Sequence, residues 1–188
     1  KLNIPRIYIE EANYMTIQKV LVIGAGQMGS GIAQVCAQAG FDVKLNDMKE
    51  EFFQRGLANI TKNLSRNVEK GRMTEDEKSQ VLSRITKSLD LNDASDVDLV
   101  IEAAVENMEI KQKIFKQLDE ITPKHAILAS NTSSLPITEI AAATNRPAQV
   151  IGMHFMNPVP VMKLVEIIRG LATTDEVYTS IEDMTKKL

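Results

Sequence analysis

Residues 20–29 read VLVIGAGQMG, and the rest of the chain is best understood outward from them. Val20 to Ile23 is a short apolar, largely β-branched run that stops at Gly24, the pattern of a strand buried on both faces. A Gly-x-Gly-x-x-Gly string (Gly24, Gly26, Gly29) follows at once. Ser30 to Ala39 then has helical character and stops at Gly40, which suits a C-terminal cap. In such a strand–turn–helix unit each glycine has a task. Gly24 permits the tight turn, Gly26 lets the backbone approach a pyrophosphate, and Gly29 lets helix and strand pack closely. The first helical turn, with Gln27 and Met28, would face a diphosphate with unpaired N–H groups and a favourable dipole. Phe41 to Asn46 reads as the next strand and ends at Asp47, 18 residues past Gly29. An aspartate there accepts hydrogen bonds from the adenosine ribose and repels a 2′-phosphate, so NAD is expected over NADP.

Further strands are expected at Asp98–Ala103, Ala126–Ala129, Gln149–Gly152 and within Leu164–Ile168, with a helix over Lys111–Ile121 that spaces Ile110, Ile114, Leu118 and Ile121 along one stripe. Strands alternating with helices imply parallel pairing, hence an α/β fold of the Rossmann type, a doubly wound sheet. The interval from Asp47 to Asp98 is too long for a simple crossover. Its excess reads as two helices, roughly 50–70 and 74–88, joined at Gly71. Leu57, Ile60, Leu64 and Val68 form the apolar stripe of the first, and Thr74 with Glu77 makes a capping box for the second. Lys62, Arg66 and Lys70 fall on another face, which reads either as solvated or as a binding surface. A protruding helical hairpin inserted at about 49–90 is therefore expected. Residues 1–14 stand apart as an upstream extension, and 15–188 are expected to form the nucleotide-binding domain.

Composition narrows the function classes. The 188 residues carry a net charge of −3, so nucleic acid is a poor partner, since neutralising phosphates needs a basic surface. Cys36 is the single cysteine and His125 and His154 the two histidines, too few for a Cys/His metal cluster or an internal disulfide. No apolar run is long enough to span a membrane as a helix, and a reducing, cytoplasmic setting fits best. Cys36 is expected in the core and His125 at the surface.

Two later blocks carry chemistry. Ser130-Asn131-Thr132-Ser133-Ser134 follows a strand and so falls at the ligand-facing edge of an open α/β sheet; it reads equally as a turn before Pro136. His154 follows another strand end, and Pro158 and Pro160 make a bend that returns the chain towards the sheet. Glu166 lies in an apolar run, where a buried carboxylate needs a partner. His154 is the natural candidate, and a carboxylate-oriented histidine is a general base with a fixed tautomer; the residues alone leave the pairing open.

Taken together, VLVIGAGQMGSGIAQ, DLVIEAAVEN, ILASNTSSLPITEIA and VIGMHFMNPVPVMKLVEIIRG resemble the N-terminal part of the short-chain L-3-hydroxyacyl-CoA dehydrogenase family, most closely its bacterial members acting on 3-hydroxybutyryl-CoA. The resemblance runs from about Thr16 onward. It implies an NAD-dependent oxidoreductase of fatty acid and butyrate metabolism that interconverts L-3-hydroxyacyl-CoA and 3-ketoacyl-CoA. By matching motif, it implies that His154 is the catalytic base, Glu166 its partner and Ser133 a substrate contact. Glu106, Lys111 and Asn131 correspond to cofactor-side positions. The hairpin is the element that meets coenzyme A, with Ser65 and Lys70 as the matching residues. The family continues into a helical C-terminal domain that closes over the acyl-CoA and supplies most of the homodimer contact. That domain is absent here, so a truncated form with little activity is expected. A non-catalytic NAD-binding module and a dehydrogenase of another hydroxy acid are the rival expectations. Met156 stands where an aromatic residue is usual in the family, a modest change given methionine's flexibility.

Overall fold

Successive side chains of β1 (Lys19–Ile23) point to opposite faces of the sheet, and both faces are apolar. Val20 and Val22 enter one hydrophobic cluster, Leu21 and Ile23 the other. A strand of this kind requires helices on both sides. The computed structural model describes residues 15–188, so the expected extension at 1–14 lies outside the described residues. After β1 come α1 (Gln27–Gln38), β2 (Asp42–Asn46), α2 (Glu50–Glu69), α3 (Glu75–Ser83), β3 (Ile85–Ser88) and β4 (Leu99–Glu102). The chain continues with α4 (Met108–Ile121), β5 (Ile127–Ser130), α5 (Ile137–Ala141), β6 (Val150–Phe155), β7 (Val165–Arg169) and α6 (Asp175–Thr185). Helices α1, α2, α3 and α6 feed the first cluster, through Ile32, Phe53, Val81 and Ile181 among others, whereas α4 and α5 feed the second through Phe115, Leu118, Ile137 and Ile140.

The sheet order is β3-β2-β1-β4-β5-β6-β7, parallel from β3 to β6, with β7 antiparallel to β6. The reversal has a local cause. No helix separates β6 from β7, and a parallel connection needs a crossover of a dozen or more residues. Strand order reverses direction between β1 and β4, so a crevice opens above the glycine turn at the carboxyl ends of these strands. Gly40 ends α1 with φ +96°, and Phe41 N–H reaches back to the Cys36 carbonyl at 3.1 Å, as a left-handed cap requires. Cys36 is wholly buried in the core, and burial pushes its thiol up to about 12. His125 is exposed.

Four sequence expectations need correction. The second hairpin helix was expected to reach residue 88, but it stops at Ser83 and residues 85–88 form β3, parallel to β2. The capping box at Thr74–Glu77 is present, yet a good start does not set a helix's length. The hairpin does not simply protrude. Phe53, Gly56, Ile60 and Leu64 of α2 are buried, Asn63 Nδ2 donates to Gln34 Oε1 at 3.2 Å, and a Cβ at Gly56 would stand 2.8 Å from the Ala25 carbonyl oxygen. On α4 the buried face is Lys111, Phe115 and Leu118, while Ile110 is exposed, so the stripe is turned by about one residue from the expected one. Finally, β6 runs on to Phe155, which places His154 inside a strand instead of beyond its end.

One carboxylate ties the lower edges of two central strands. Asp98 accepts the N–H groups of Gln18 and Lys19, each at 2.9 Å, and the Nε2–H of His125 at 2.8 Å. Partial burial raises its proton affinity, but these hydrogen bonds outweigh that and hold the carboxyl below the usual carboxylate range. A carboxyl lowered in the folded state stabilises fully above the unfolded value of about 4 and loses that contribution as pH falls through the lowered value. Asp98→Asn should therefore cost about 1 kcal/mol at pH 7, discounted for solvent screening, with the difference from the parent shrinking below about pH 4. Urea unfolding midpoints at pH 7 and pH 3 check this.

Candidate active site

The glycine turn is built by three different constraints. Gly24 has φ +98°, and a Cβ there would stand 2.6 Å from the Ala103 carbonyl oxygen, so only glycine fits the backbone and the neighbouring β4–α4 loop. A Cβ at Gly29 would overlap the Gly24 carbonyl oxygen, which fixes how closely α1 leaves the turn. Gly26 is different, because a Cβ there meets no protein atom within 4 Å. The missing side chain at 26 serves no contact within the described residues and leaves the backbone open to something outside them. Nor is the start of α1 capped: Gly26 provides no side chain, and the first turn holds no acidic residue. Free N–H groups beside an open backbone suit a diphosphate. Asp47 completes this half of the crevice. Its Oδ2 accepts Ala25 N–H at 2.8 Å and its Oδ1 accepts Met48 N–H at 2.7 Å, which sets the carboxylate beside the turn at the end of β2. The residues present therefore fit NAD.

On the other side of the crevice, two loops interlock. Glu106, after β4, accepts the Thr132 hydroxyl at 2.7 Å and the Ser133 N–H at 3.4 Å, both from the loop after β5. Thr132 Oγ1 in turn accepts Leu135 N–H at 3.0 Å, so the Ser130–Ser134 segment is a turn and a shelf at the sheet edge at once. Ser133 is left exposed on its rim. Asn131 Oδ1 accepts Phe155 N–H at 2.9 Å, joining the shelf to β6 beside His154. Below lies an ion pair absent from the sequence reading. Lys111, expected at the cofactor, is buried with its Nζ 2.7 Å from Glu102 Oε2 and 3.7 Å from Glu106 Oε1. The sequence offered a signal for Glu102, a carboxylate closing the apolar run of DLVIEA.

His154 and Glu166 stand opposite each other in the antiparallel β6–β7 ladder. Nδ1 of His154 lies 3.1 Å from Glu166 Oε2. An ionised carboxylate only accepts, so Nδ1 donates to Glu166 and Nε2 is the ring nitrogen outside the pair. The expected reason for the pair was burial of Glu166. Instead the Glu166 side chain is 55% exposed on an edge strand, while that of His154 is 23% exposed. Pairing here comes from strand register, not from desolvation. On the opposite flank, Lys62 and Arg66 of α2 line an open cleft of about 400 Å³ with Gln27, Asn157 and Pro158. Gln27 Nε2 donates to Asn157 Oδ1 at 3.1 Å across it. Ser65 of α2 and Lys70, just past its end, are not part of the lining.

A family described as 3-hydroxyacyl-CoA dehydrogenase, NAD binding domain, matches residues 19–188. The chain belongs to this family. A probable 3-hydroxybutyryl-CoA dehydrogenase of Bacillus subtilis is 57% identical over 174 residues, covering 93% of this chain and 61% of that protein. A 3-hydroxybutyryl-CoA dehydrogenase of Bradyrhizobium diazoefficiens is 54% identical over 172 residues, covering 92% and 59%. The crystal structure of (S)-3-hydroxybutyryl-CoA dehydrogenase from Ralstonia eutropha superposes with a TM-score of 0.90 at 46% identity, covering 92% of this chain and 61% of that one. The chain thus spans about 60% of the length of the curated relatives it matches. As an NAD-binding domain of this family it contains the glycine turn, Asp47, the Ser130–Ser134 shelf and the His154–Glu166 pair within one sheet edge. Among the described residues, no group of three or more His, Cys, Asp or Glu side chains is placed to hold a metal, and no helix is long and apolar enough to cross a membrane.

The different origins of the glycines can be separated by experiment. Gly26→Ala should leave stability within about 1 kcal/mol of the parent, since the new methyl meets no protein atom. The same change should weaken NADH binding about tenfold or more by crowding the diphosphate. Gly29→Ala should cost about 3 kcal/mol or abolish folding. Thermal melts and NADH fluorescence titrations read both effects.

Proposed function

We propose that the complete protein is an NAD-dependent L-3-hydroxyacyl-CoA dehydrogenase, interconverting 3-hydroxybutyryl-CoA and acetoacetyl-CoA, with residues 15–188 as its NAD-binding domain and the α2–α3 hairpin as an insertion in it. The observation that carries the reading is the 3.1 Å contact between His154 and Glu166 at the same sheet edge as the glycine turn. NAD, when bound, supplies the acceptor for the hydrogen and electron pair that leave C3. Nε2 of His154 takes the hydroxyl proton as the C3–O bond becomes a carbonyl, and returns it when the reaction runs towards the alcohol. Glu166 stabilises the imidazolium and keeps the ring in the orientation in which Nε2 is the base. Ser133 holds the reacting oxygen by a hydrogen bond from the rim of its shelf. Asn131 and Glu106 flank the nicotinamide half, and Gly24, Gly26, Gln27, Met28, Gly29 and Asp47 hold the adenosine diphosphate half.

Coenzyme A is polyanionic, and Lys62 and Arg66 are exposed on the cleft between α2 and the loop after β6. We assign its phosphates to this face, together with Ser65, which lies between Lys62 and Arg66 on α2, and Lys70, just past the helix end. The setting is a reducing one, such as the cytoplasm, in keeping with a lone buried cysteine.

His154→Gln in the complete protein should cut turnover of acetoacetyl-CoA with NADH by about 10²–10⁴-fold while leaving NADH affinity near the parent value. Absorbance decay of NADH measures the first and fluorescence titration the second; unchanged turnover would remove His154 from the mechanism. Neutralising Lys62 and Arg66 together should raise KM for acetoacetyl-CoA and leave KM for NADH unchanged. A dehydrogenase acting on a free hydroxy acid would show no such split.

A further inference from the structure

We propose that Glu102 is a positioning residue for the nicotinamide half of the cofactor, acting through Lys111 and Ser130. The proposal rests on the NAD-binding reading above and names a residue with no place in the chemistry described so far.

Glu102 ends β4, is wholly buried, and sits beside β1 where the strand order reverses. Its two oxygens are fully engaged. Oε1 accepts Lys111 Nζ at 2.9 Å and the Ser130 hydroxyl at 2.7 Å; Oε2 accepts Lys111 Nζ and Ala104 N–H, each at 2.7 Å. The donors come from three separate segments, namely α4, the end of β5 and the β4–α4 loop. The connections then close on themselves. Ser130 Oγ accepts Thr132 N–H at 3.2 Å, Thr132 Oγ1 donates to Glu106 Oε1 at 2.7 Å, and Glu106 Oε1 lies 3.7 Å from Lys111 Nζ. Glu102, Lys111, Ser130, Thr132 and Glu106 therefore form a ring that locks the two crevice loops together.

Stability alone is a weak reason for such a ring. A buried ion pair is often no better for stability than apolar residues of the same volume. Position gives a stronger reason. The adenosine half of a dinucleotide lies on the Asp47 side of the glycine turn, so the other half lies over β4 and β5. That is where the ring sits, with Asn131 and Ser133 as chain neighbours of its Ser130 and Thr132. Lys111 lies beneath the shelf, its side chain being 2% exposed.

The test compares two probes on the same chain, NADH and ADP-ribose, the second lacking nicotinamide. Ser130→Ala cuts the link between Glu102 and the β5 loop while leaving the ion pair intact. Glu102→Gln removes the central charge. Each variant should weaken NADH binding, about tenfold for Glu102→Gln and less for Ser130→Ala, while ADP-ribose affinity stays within about twofold of the parent. Should Glu102→Gln fail to fold, Ser130→Ala carries the comparison. Unchanged NADH affinity in folded variants, or equal losses for both probes, would overturn the proposal, since a general structural role affects both halves alike. A parent chain that binds neither probe would overturn the NAD reading itself, and this proposal with it.

Discussion

No side chain fits between the start of α1 and the turn that precedes it. A methyl at position 29 would occupy the place of the Gly24 carbonyl oxygen, and one at position 24 would press on the Ala103 carbonyl. These two exclusions bring the first turn of α1 against the end of β1 and bring the β4–α4 loop up beside both. The helix start thereby faces the crevice with its N–H groups uncapped, and the loop bearing Glu106 is held at the crevice wall. Two further parts of the crevice are placed relative to that contact: Asp47 through its bond to Ala25 N–H, and α2 through the close approach of Gly56 to Ala25.

The two ion-pairing contacts of the site are held in opposite ways. Glu102 and Lys111 are sealed in the interior with every carboxylate acceptor engaged, an arrangement that resists change. His154 and Glu166 stand on the last two strands of the sheet with a single bond between them and solvent nearby. Asn131 links the two regimes by holding Phe155 N–H from the shelf, so the rigid ring and the accessible base share one backbone connection.

The basic face of α2 gains meaning only from its surroundings. Lys62 and Arg66 would be unremarkable on a solvated helix, but α2 buries Phe53, Ile60 and Leu64 in the cluster that α1 also feeds, and Lys62 and Arg66 line a cleft with Gln27, Ser30 and the loop after β6. A polyanionic substrate lying in that cleft would run from the basic helix towards the shelf and the histidine.

Local sequence carried much of this. The apolar run into Gly24-x-Gly26-x-x-Gly29 set the strand, turn and helix, because backbone φ, close packing and strand burial are all short-range demands written in adjacent residues. Asp47 was legible from its place after the second strand, and His154 and Glu166 from the blocks that flank them. Other features belonged to the folded sheet. Residues 85–88 could extend a helix or form a strand, and pairing with β2 chose the strand. Glu166 read as buried because its sequence neighbours are apolar, yet exposure depends on whether another strand covers β7, and none does among the described residues. Lys111 was expected at the cofactor side through the family resemblance, and its burial was not foreseen; the arrival of Glu102 and Ser130 from other strands makes a buried charge tolerable there. Short-range geometry is encoded where it occurs, whereas burial and pairing across the sheet depend on residues far apart in the chain, which meet only once it has folded.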